Sequence, residues 1–324
     1  MLDRGADIFR SMWDRQCLLV YMDVDYLNAD LPGHAFARPA EVFQKMEPTY
    51  QSVVELLNRY RIGLLAVMTG RGYQLTGKIN LGSALVGRLA SIAPGVPDWY
   101  ETQQSRLPHW IHDRFTTRHA RAYVGLGLLL EYLAHQVIRQ TASKSPVPLV
   151  INGTNVGFGP GGREAVSLDL SFAGDPMDVR HMRVAFGGYQ LHRFRPDLYG
   201  AEVASLDPLI AVPRGNSSLH EMLHRLRSRD GSARLAESSR TRIPIVTDGV
   251  AALLADYDQS SLARFHRAFY SIEPDHPGAW SQTYDRFDLS ALPPCVAASL
   301  VNPHDLLLKP EYIQHVTRFL MSEG

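Results

Sequence analysis

Cys17-Leu-Leu-Val-Tyr-Met-Asp-Val-Asp25 is the segment from which we infer the architecture of the chain. Its first six residues form a continuous apolar run, which is typical of a strand buried in the middle of a sheet. Because side chains alternate along a strand with a period of two, the carboxylates of Asp23 and Asp25 point to the same face. Mg²⁺ prefers oxygen ligands and binds through one or two carboxylates together with substrate phosphates. The segment therefore predicts a buried strand that ends in a pair of candidate metal ligands.

A hairpin is predicted shortly after this strand. A helix is expected over about 47–60, and a second apolar strand over 62–68 is followed by Thr69-Gly70-Arg71-Gly72. The alternation resumes over 73–79, so the Gly-Arg-Gly segment is interpreted as the turn. Two glycines let backbone N–H groups approach an anion closely, and Arg71 can add a forked contact to a triphosphate. Taken alone, a Gly-x-Gly turn is most often only an ordinary hairpin.

A third acid, Asp169, lies within the apolar strand predicted over 164–171. Burying a carboxylate there is costly unless it is paired or bound to a metal. If this strand neighbours the strand over 17–23, the three carboxylates of Asp23, Asp25 and Asp169 converge. Two-metal sites hold their ions about 3.5–4 Å apart and stabilise the attacking and leaving oxygens of phosphoryl transfer. The alternative is a carboxylate at a strand edge that pairs with an arginine such as Arg163 or Arg183.

The amino-acid composition limits the classes of protein to which the chain can belong. The chain has 324 residues, 45% of them hydrophobic and 20% charged, which is a globular composition for one large or two ordinary domains. Lys+Arg and Asp+Glu are both 33, and only four of the bases are lysines, which leaves 29 arginines suited to forked phosphate contacts. Two cysteines are too few for a disulfide framework or a four-thiolate zinc site. The sequence has no apolar run of about 20 residues and a polar N-terminus, so we predict a soluble, cytoplasmic protein without membrane contact.

The rest of the sequence predicts further helices, a strand and a division into domains. Helices are expected over 81–92, 114–141, 217–227, 247–255, 260–270 and from Pro310, with a strand over 146–156. Ser238 to Pro244 has the composition of a linker, so we predict a catalytic domain over 1–240 and a helical C-terminal region over 241–324, compatible with a piece of a longer polypeptide. Arginines outnumber acids seven to four over 203–243, which suits either a nucleic-acid backbone or a solvated helix face.

The order of these motifs resembles the archaeo-eukaryotic primase superfamily, the primase-polymerases. The Asp-x-Asp motif is matched by Tyr21 to Asp25, the Ser/Thr-Gly-x-Gly-x-His hairpin by Thr69 to Gln74, and the lone strand aspartate by Ser167 to Asp169. A basic segment after the third motif corresponds to Arg180 to Arg193. The resemblance implies an α+β fold in which a catalytic sheet of the RNA-recognition-motif type is joined to a second α/β unit and followed by a smaller helical region.

The same resemblance implies an activity and a set of site residues. The expected activity is that of a DNA-replication nucleotidyltransferase, which adds nucleotides from nucleoside triphosphates to a 3′-hydroxyl on a DNA template with Mg²⁺ or Mn²⁺ and releases pyrophosphate. Asp23, Asp25 and Asp169 would be both catalytic and metal-binding. Aromatic side chains near the cleft, Tyr26 or Tyr73, are candidates for stacking a base. The residues expected to bind nucleotide are Thr69, Gly70, Arg71, Gly72, Gln74, Arg180, Arg183 and His192.

One position departs from the family pattern. The histidine of the second motif, which contacts the phosphates of the incoming nucleotide in the family, is Gln74 here. Glutamine donates hydrogen bonds but carries no positive charge. This departure motivates one alternative, a degenerate primase-like module that binds nucleic acid or nucleotide without turnover.

A second alternative is a haloacid-dehalogenase-type phosphatase. Asp23 and Asp25 would serve as its nucleophile and acid, Thr69 would belong to its second motif, and Gly174 to Asp178 would supply its metal-binding motif. The residues after the Thr-Gly-Arg segment have the pattern of a strand, whereas that family begins a helix there.

Overall fold

The computed structural model of the chain describes residues 9–11, 14, 16–93, 116–152, 156–170, 181–239 and 241–271. Eleven strands lie within these ranges. They are β1 (Phe9–Ser11), β2 (Cys17–Asn28), β3 (Leu65–Met68), β4 (Gly72–Asn80), β5 (Leu149–Ile151), β6 (Phe158–Gly159), β7 (Gly162–Asp169), β8 (His181–Arg183), β9 (Gly188–Tyr189), β10 (Leu209–Ile210) and β11 (Val212–Pro213).

Eleven helices lie within the same ranges, and they differ widely in length. They are α1 (His34–Ala37), α2 (Pro39–Arg59), α3 (Ala84–Ile92), α4 (Thr117–Thr141), α5 (Leu191–Phe194), α6 (Pro196–Tyr199), α7 (Ala201–Ala204), α8 (Leu219–Arg227), α9 (Arg229–Ser238), α10 (Thr247–Gln259) and α11 (Ser261–Tyr270). None of these helices is both long enough and apolar enough to cross a lipid bilayer.

A mixed sheet organises the described residues. Its strands lie in the order β11, β3, β4, β2, β7, β5, and β6 pairs with β7. The four central strands, β3, β4, β2 and β7, pair with one another in antiparallel fashion, whereas β5 runs parallel to β7. Along the chain these elements follow the sequence strand, helix, two strands, helix, strand, which is a split β-α-β arrangement. The architecture is mixed α and β and agrees with the α+β class.

The two faces of β2 have different surroundings. Its even-numbered apolar side chains, Leu18 to Val24, belong to the main core together with buried residues of α2 and α4. Its odd-numbered side chains point to the other face, where Leu19 and Tyr21 pack with Met182 and Ile243. Asp23 and Asp25 share this second face by the alternation of the strand. The sheet therefore has one helix-covered face and one face that carries the candidate site.

Three boundaries differ from those predicted. Helix α2 begins at Pro39, since proline is accepted in the first turn of a helix. Strand β2 continues to Asn28, because Tyr26 to Asn28 pair with β7. By contacts the chain divides into Met1–Phe269 and Tyr270–Gly324, so the division falls beyond the boundary predicted near 240.

The segment predicted to be a linker is attached to the sheet. The Lys78 amide donates to the Pro244 carbonyl (2.9 Å), and the Val246 amide donates back to the Lys78 carbonyl (3.0 Å). Ile245 thereby forms a parallel bridge with Lys78. Helices α10 and most of α11 consequently belong to the same unit as the sheet, and the helix predicted from Pro310 lies outside the described residues.

Candidate functional site: three aspartates beside a glycine hairpin

Three aspartates lie on one face of two neighbouring central strands. Asp23 of β2 stands directly opposite Asp169 of β7, and Asp25 stands opposite Ser167. Strands β2 and β7 are thus neighbours, which was the condition for the three acids to converge. Residues 23 and 169 are far apart in the chain, so antiparallel pairing alone creates the cluster.

Burial and mutual repulsion act on these carboxyl groups. Burial raises the pKa of Asp23 well above its usual range, and the negative charges of Asp25 and Asp169 raise it further. The pKa of Asp25 is also raised by burial, although the nearby Arg71 guanidinium opposes that shift. Each carboxylate of the cluster disfavours ionisation of the others. A cation bound among them would therefore stabilise their charged forms.

The chemistry of the donor oxygens decides whether these residues fit a metal ion. In the described part of the chain, no three His, Cys, Asp or Glu side chains already surround a point suited to a metal ion. Oδ1 of Asp23 is nonetheless buried and has no hydrogen-bond partner among the described residues, and a buried carboxylate oxygen of this kind is costly. The donor set of three carboxylates is the type that Mg²⁺ and Mn²⁺ accept. The residues therefore fit a hard divalent cation by the chemistry of their donor oxygens.

The glycine hairpin brings Arg71 onto the acids. The Thr69 amide donates to the Gly72 carbonyl (2.8 Å) and closes the turn between β3 and β4. The Arg71 guanidinium then donates from Nε (3.1 Å) and Nη2 (2.8 Å) to Oδ2 of Asp25. This contact raises the pKa of Arg71 and keeps its charge beside the carboxylates. Arg71 is thus a counter-charge of the cluster before any ligand binds.

Both glycines of the turn are required by close packing. A Cβ added to Gly72 would lie 2.2 Å from the Val24 carbonyl oxygen, and one added to Gly70 would lie 2.4 Å from the ring of Tyr189. We predicted that these glycines admit an anion to the backbone. Their contacts show that they let the hairpin approach β2 and Tyr189, which positions Arg71.

A second arginine completes the positive side of the site. The guanidinium of Arg183 lies 3.9 Å from the centroid of the Tyr189 ring and donates to the Gly188 carbonyl (3.1 Å). Its charge lowers the pKa of Asp25, so it lies within electrostatic reach of the acids. That Arg183 binds nucleotide stays a prediction.

Three other expectations are wrong in position. His192 is fully buried, where its Nε2 lies 3.2 Å from the Leu206 carbonyl oxygen and its ring packs on Phe36. Tyr26 and Tyr73 belong to the main core, so neither ring is free to stack a base. Both side chains lie on the opposite face of the sheet from the aspartates. Arg180 lies outside the described residues.

Gln74 and Tyr21 form the neutral side of the cluster. Gln74 of β4 stands opposite Asp23, and its Nε2 donates to the Tyr21 hydroxyl oxygen (2.6 Å). The Tyr21 hydroxyl also acts on Asp23, because it lowers the pKa of that carboxyl and so opposes part of the rise caused by burial. Sequence reasoning did not assign a role to Tyr21, although its position two residues before Asp23 places it on the same face.

A cavity of about 770 Å³ lies next to Arg183. Its lining includes Val67 of β3 and Lys78 of β4. Both side chains lie on the same face of the sheet as Gln74. Arg242 and Ile245 contribute from the segment that follows α9. The cavity is thus lined by apolar side chains together with the cationic groups of Lys78, Arg183 and Arg242.

A second polar cluster lies on the opposite, helix-covered face. Glu164 of β7 is completely buried and accepts from Lys45 (3.1 Å), from the Gly161 amide (2.7 Å) and from the Tyr26 hydroxyl. Burial opposes ionisation of Glu164, but these donors together lower its pKa. This cluster, which we call the Glu164 cluster, joins α2 to the paired ends of β2 and β7.

No protein-family model, curated protein or solved structure matches the chain.

Proposed function

We propose that the chain is a metal-dependent nucleotidyltransferase of the primase-polymerase type, which adds nucleotides to a 3′-hydroxyl on a nucleic-acid template. The observation that carries this proposal is the cross-strand pairing of Asp23 with Asp169, with Asp25 on the same face and Arg71 beside it. Three acids and a phosphate-binding type of base at one point suit chemistry on a phosphate ester.

The topology supports the same proposal. The order β3, β4, β2, β7, with helices between β2 and β3 and between β4 and β7, is the split β-α-β order expected of a catalytic sheet of the RNA-recognition-motif type. The Asp-x-Asp segment occupies a central strand of that sheet, and the glycine hairpin joins the next two strands. The three motifs that suggested the primase-polymerases are therefore adjacent in space.

Each side chain has a definite task in this proposal. Asp23, Asp25 and Asp169 would hold Mg²⁺ or Mn²⁺. The bound cation would lower the pKa of the 3′-hydroxyl, orient the α-phosphate and neutralise the leaving pyrophosphate. Arg71 and Arg183 would bind phosphate oxygens of the nucleoside triphosphate, since a guanidinium matches the geometry of phosphate. The cavity beside Arg183 would receive part of the nucleotide or of the template.

The alternatives predict different products. A phosphatase of the haloacid-dehalogenase type is disfavoured, because β4 begins directly at Gly72 where that family begins a helix. A non-catalytic module would bind the same ligands without turnover. The decisive assay is extension of a primed DNA template with labelled deoxynucleotides and, separately, ribonucleotides in Mn²⁺. We expect a ladder of extended products from the wild-type chain.

Matched variants locate the activity. Asp23→Asn and Asp169→Asn should each reduce extension at least about 100-fold, because each removes a metal ligand. Asp30→Asn is the control, since Asp30 is an exposed acid that pairs with Arg163. Retained extension in Asp23→Asn would contradict the metal assignment. Nucleotide binding without extension would indicate the non-catalytic module, and phosphate release from small esters would indicate the phosphatase.

A further inference from the structure

We propose that Ser167 is a further ligand of the cation site: its hydroxyl oxygen binds the divalent cation between β2 and β7, together with the carboxylates of Asp23 and Asp169. This inference rests on the proposed function for the presence of a cation at the three acids. It adds a neutral oxygen to the acidic ligands, at a serine to which the sequence pattern assigned no role.

The register of β2 and β7 places Ser167 beside the acids. Ser167 stands directly opposite Asp25, and two residues further along β7 Asp169 stands opposite Asp23. Because side chains alternate along a strand, all four side chains lie on one face of the sheet. Opposite side chains of antiparallel strands have Cβ atoms about 4.5–5.5 Å apart. One cation can therefore contact oxygens from both strands.

The carboxylate of Asp25 is directed away from Ser167. Its Oδ2 accepts both hydrogen bonds of Arg71, from the hairpin that leads into β4. Its Oδ1 lies toward the same strand, since it is 2.6 Å from the position of a Cβ built on Gly72. Strands β4 and β7 flank β2 on opposite sides. Asp25 thus pairs with the hairpin, and the space on the β7 side is left to Ser167 and the other two acids.

Buried oxygens without partners indicate where the cation binds. Within the part of the chain that the structure describes, Oγ of Ser167 and Oδ1 of Asp23 are buried and have no hydrogen-bond partner. The residues are 2% and 7% exposed, respectively. Leaving such oxygens unsatisfied is costly, and a cation between β2 and β7 would satisfy both. A serine oxygen has two lone pairs, so it binds a cation without losing its proton, as the serine or threonine of P-loop enzymes binds Mg²⁺.

The first test is the affinity of the nucleotide-free, full-length chain for Mn²⁺, measured by calorimetry or by the electron paramagnetic resonance of free Mn²⁺. Ser167→Ala should weaken Mn²⁺ binding at least about 10-fold, a loss that already follows when a group that merely orients a metal ligand is removed. Thr49→Val is the matched control. The Thr49 hydroxyl is also buried and without a partner among the described residues, but it belongs to α2. Mn²⁺ should bind this variant as it binds the wild type.

The stability of the metal-free variant separates a ligand from a structural residue. In chelator, the urea midpoint of Ser167→Ala should not fall below that of the wild type, because the substitution removes a buried hydroxyl that no group satisfies. A clear fall of that midpoint together with weaker Mn²⁺ binding would indicate a structural role and overturn the inference.

The second test exchanges the ligand atom. A cysteine sulfur prefers Zn²⁺ to Mn²⁺, whereas oxygen ligands suit Mn²⁺. Ser167→Cys should therefore raise the ratio of Zn²⁺ to Mn²⁺ affinity at least about 10-fold over the wild type. Thr49→Cys introduces a thiol in α2 and should leave this ratio unchanged. Equal ratios in the two cysteine variants would contradict a direct contact between position 167 and the metal.

The remaining outcomes separate this inference from the proposed function. Normal Mn²⁺ affinity of Ser167→Ala with a raised KM for nucleoside triphosphate at saturating Mn²⁺ would assign Ser167 to the nucleotide and overturn the inference alone. Weaker Mn²⁺ binding by Ser167→Ala, in a chain whose wild type extends no primer, would support the ligand and refute the polymerase. Absence of Mn²⁺ binding to the wild type would overturn both.

Discussion

Arg71 donates two hydrogen bonds to a single oxygen of Asp25, from Nε at 3.1 Å and from Nη2 at 2.8 Å. The other acids of the cluster receive no comparable contact from Arg71. The ion pair joins the tip of the glycine hairpin to β2 and partly offsets the repulsion among the three carboxylates. Its removal should therefore affect the stability of the chain as well as any ligand binding.

Arg71→Met should lower the free energy of unfolding in metal-free buffer by about 1–3 kcal/mol, because it leaves a partly buried carboxylate without its donor. Urea denaturation at pH 7 in the presence of a chelator measures this loss. The control is Arg163→Met, which breaks an exposed ion pair with Asp30 (3.0 Å) and should cost less than about 1 kcal/mol. Equal losses in the two variants would mean that the Arg71 contact has no special role.

Asp23→Asn should stabilise the metal-free chain by about 1–2 kcal/mol, since it removes a buried charge beside two like charges. Addition of Mn²⁺ should raise the denaturation midpoint of the wild type, because an ion that binds only the folded state stabilises it. The variant should show little Mn²⁺ response. The measurement is a pair of urea curves, one in chelator and one in Mn²⁺. A variant that is less stable than the wild type in chelator would contradict the repulsion argument.

The pH dependence of stability should include a contribution from Glu164. Burial of this group opposes ionisation, but its donors lower its pKa in the folded state relative to the unfolded state. The stabilisation is therefore present above the unfolded pKa of about 4.3 and is lost as the pH falls through the folded value. Glu164→Gln should remove this part of the acid dependence between about pH 5 and 3. Parallel profiles of wild type and variant over that interval would refute the assignment.

Gly72→Ala should destabilise the fold by more than about 3 kcal/mol, because its Cβ would meet the backbone oxygen of Val24 and the strands would have to separate. Gly63→Ala is the control, since a Cβ there has no neighbour within 4 Å. Its free energy of unfolding should stay within about 0.5 kcal/mol of the wild type. Thermal denaturation of both variants measures the difference. A mild effect at Gly72 would mean that the hairpin does not need its close approach to β2.

The sequence allowed the cluster of acids to be predicted because strand parity is local information. Asp23 and Asp25 lie on the same face of their strand whatever the rest of the chain does. Asp169 can be recognised in the sequence as a charged residue within an apolar strand. The same rule places Tyr26 on the other face of β2. Tyr73 lies on a different strand, so its face follows only from the pairing of β4 with β2. Both rings are packed in the main core.

Other features depended on contacts that are distant in the chain. His192 lies within the basic segment, and its burial against Phe36 comes from tertiary packing that no local pattern indicates. The Ser238–Pro244 segment has the composition of a linker, yet its last residue, Pro244, accepts a hydrogen bond from Lys78. Position 74 was recognised as unusual, but its partner Tyr21 became visible only when β2 and β4 were paired.

The alternation of β2 has a consequence for how this chain tolerates change. Asp25 belongs to the acid cluster and the next residue, Tyr26, belongs to the Glu164 cluster, so consecutive side chains serve opposite sides of one strand. Inserting or deleting a single residue between Cys17 and Asp23 would exchange the two sides for part of the strand, driving carboxylates into apolar surroundings. Length variation within this strand should therefore be far more damaging than substitution, and alignments of descendants should keep its spacing free of gaps.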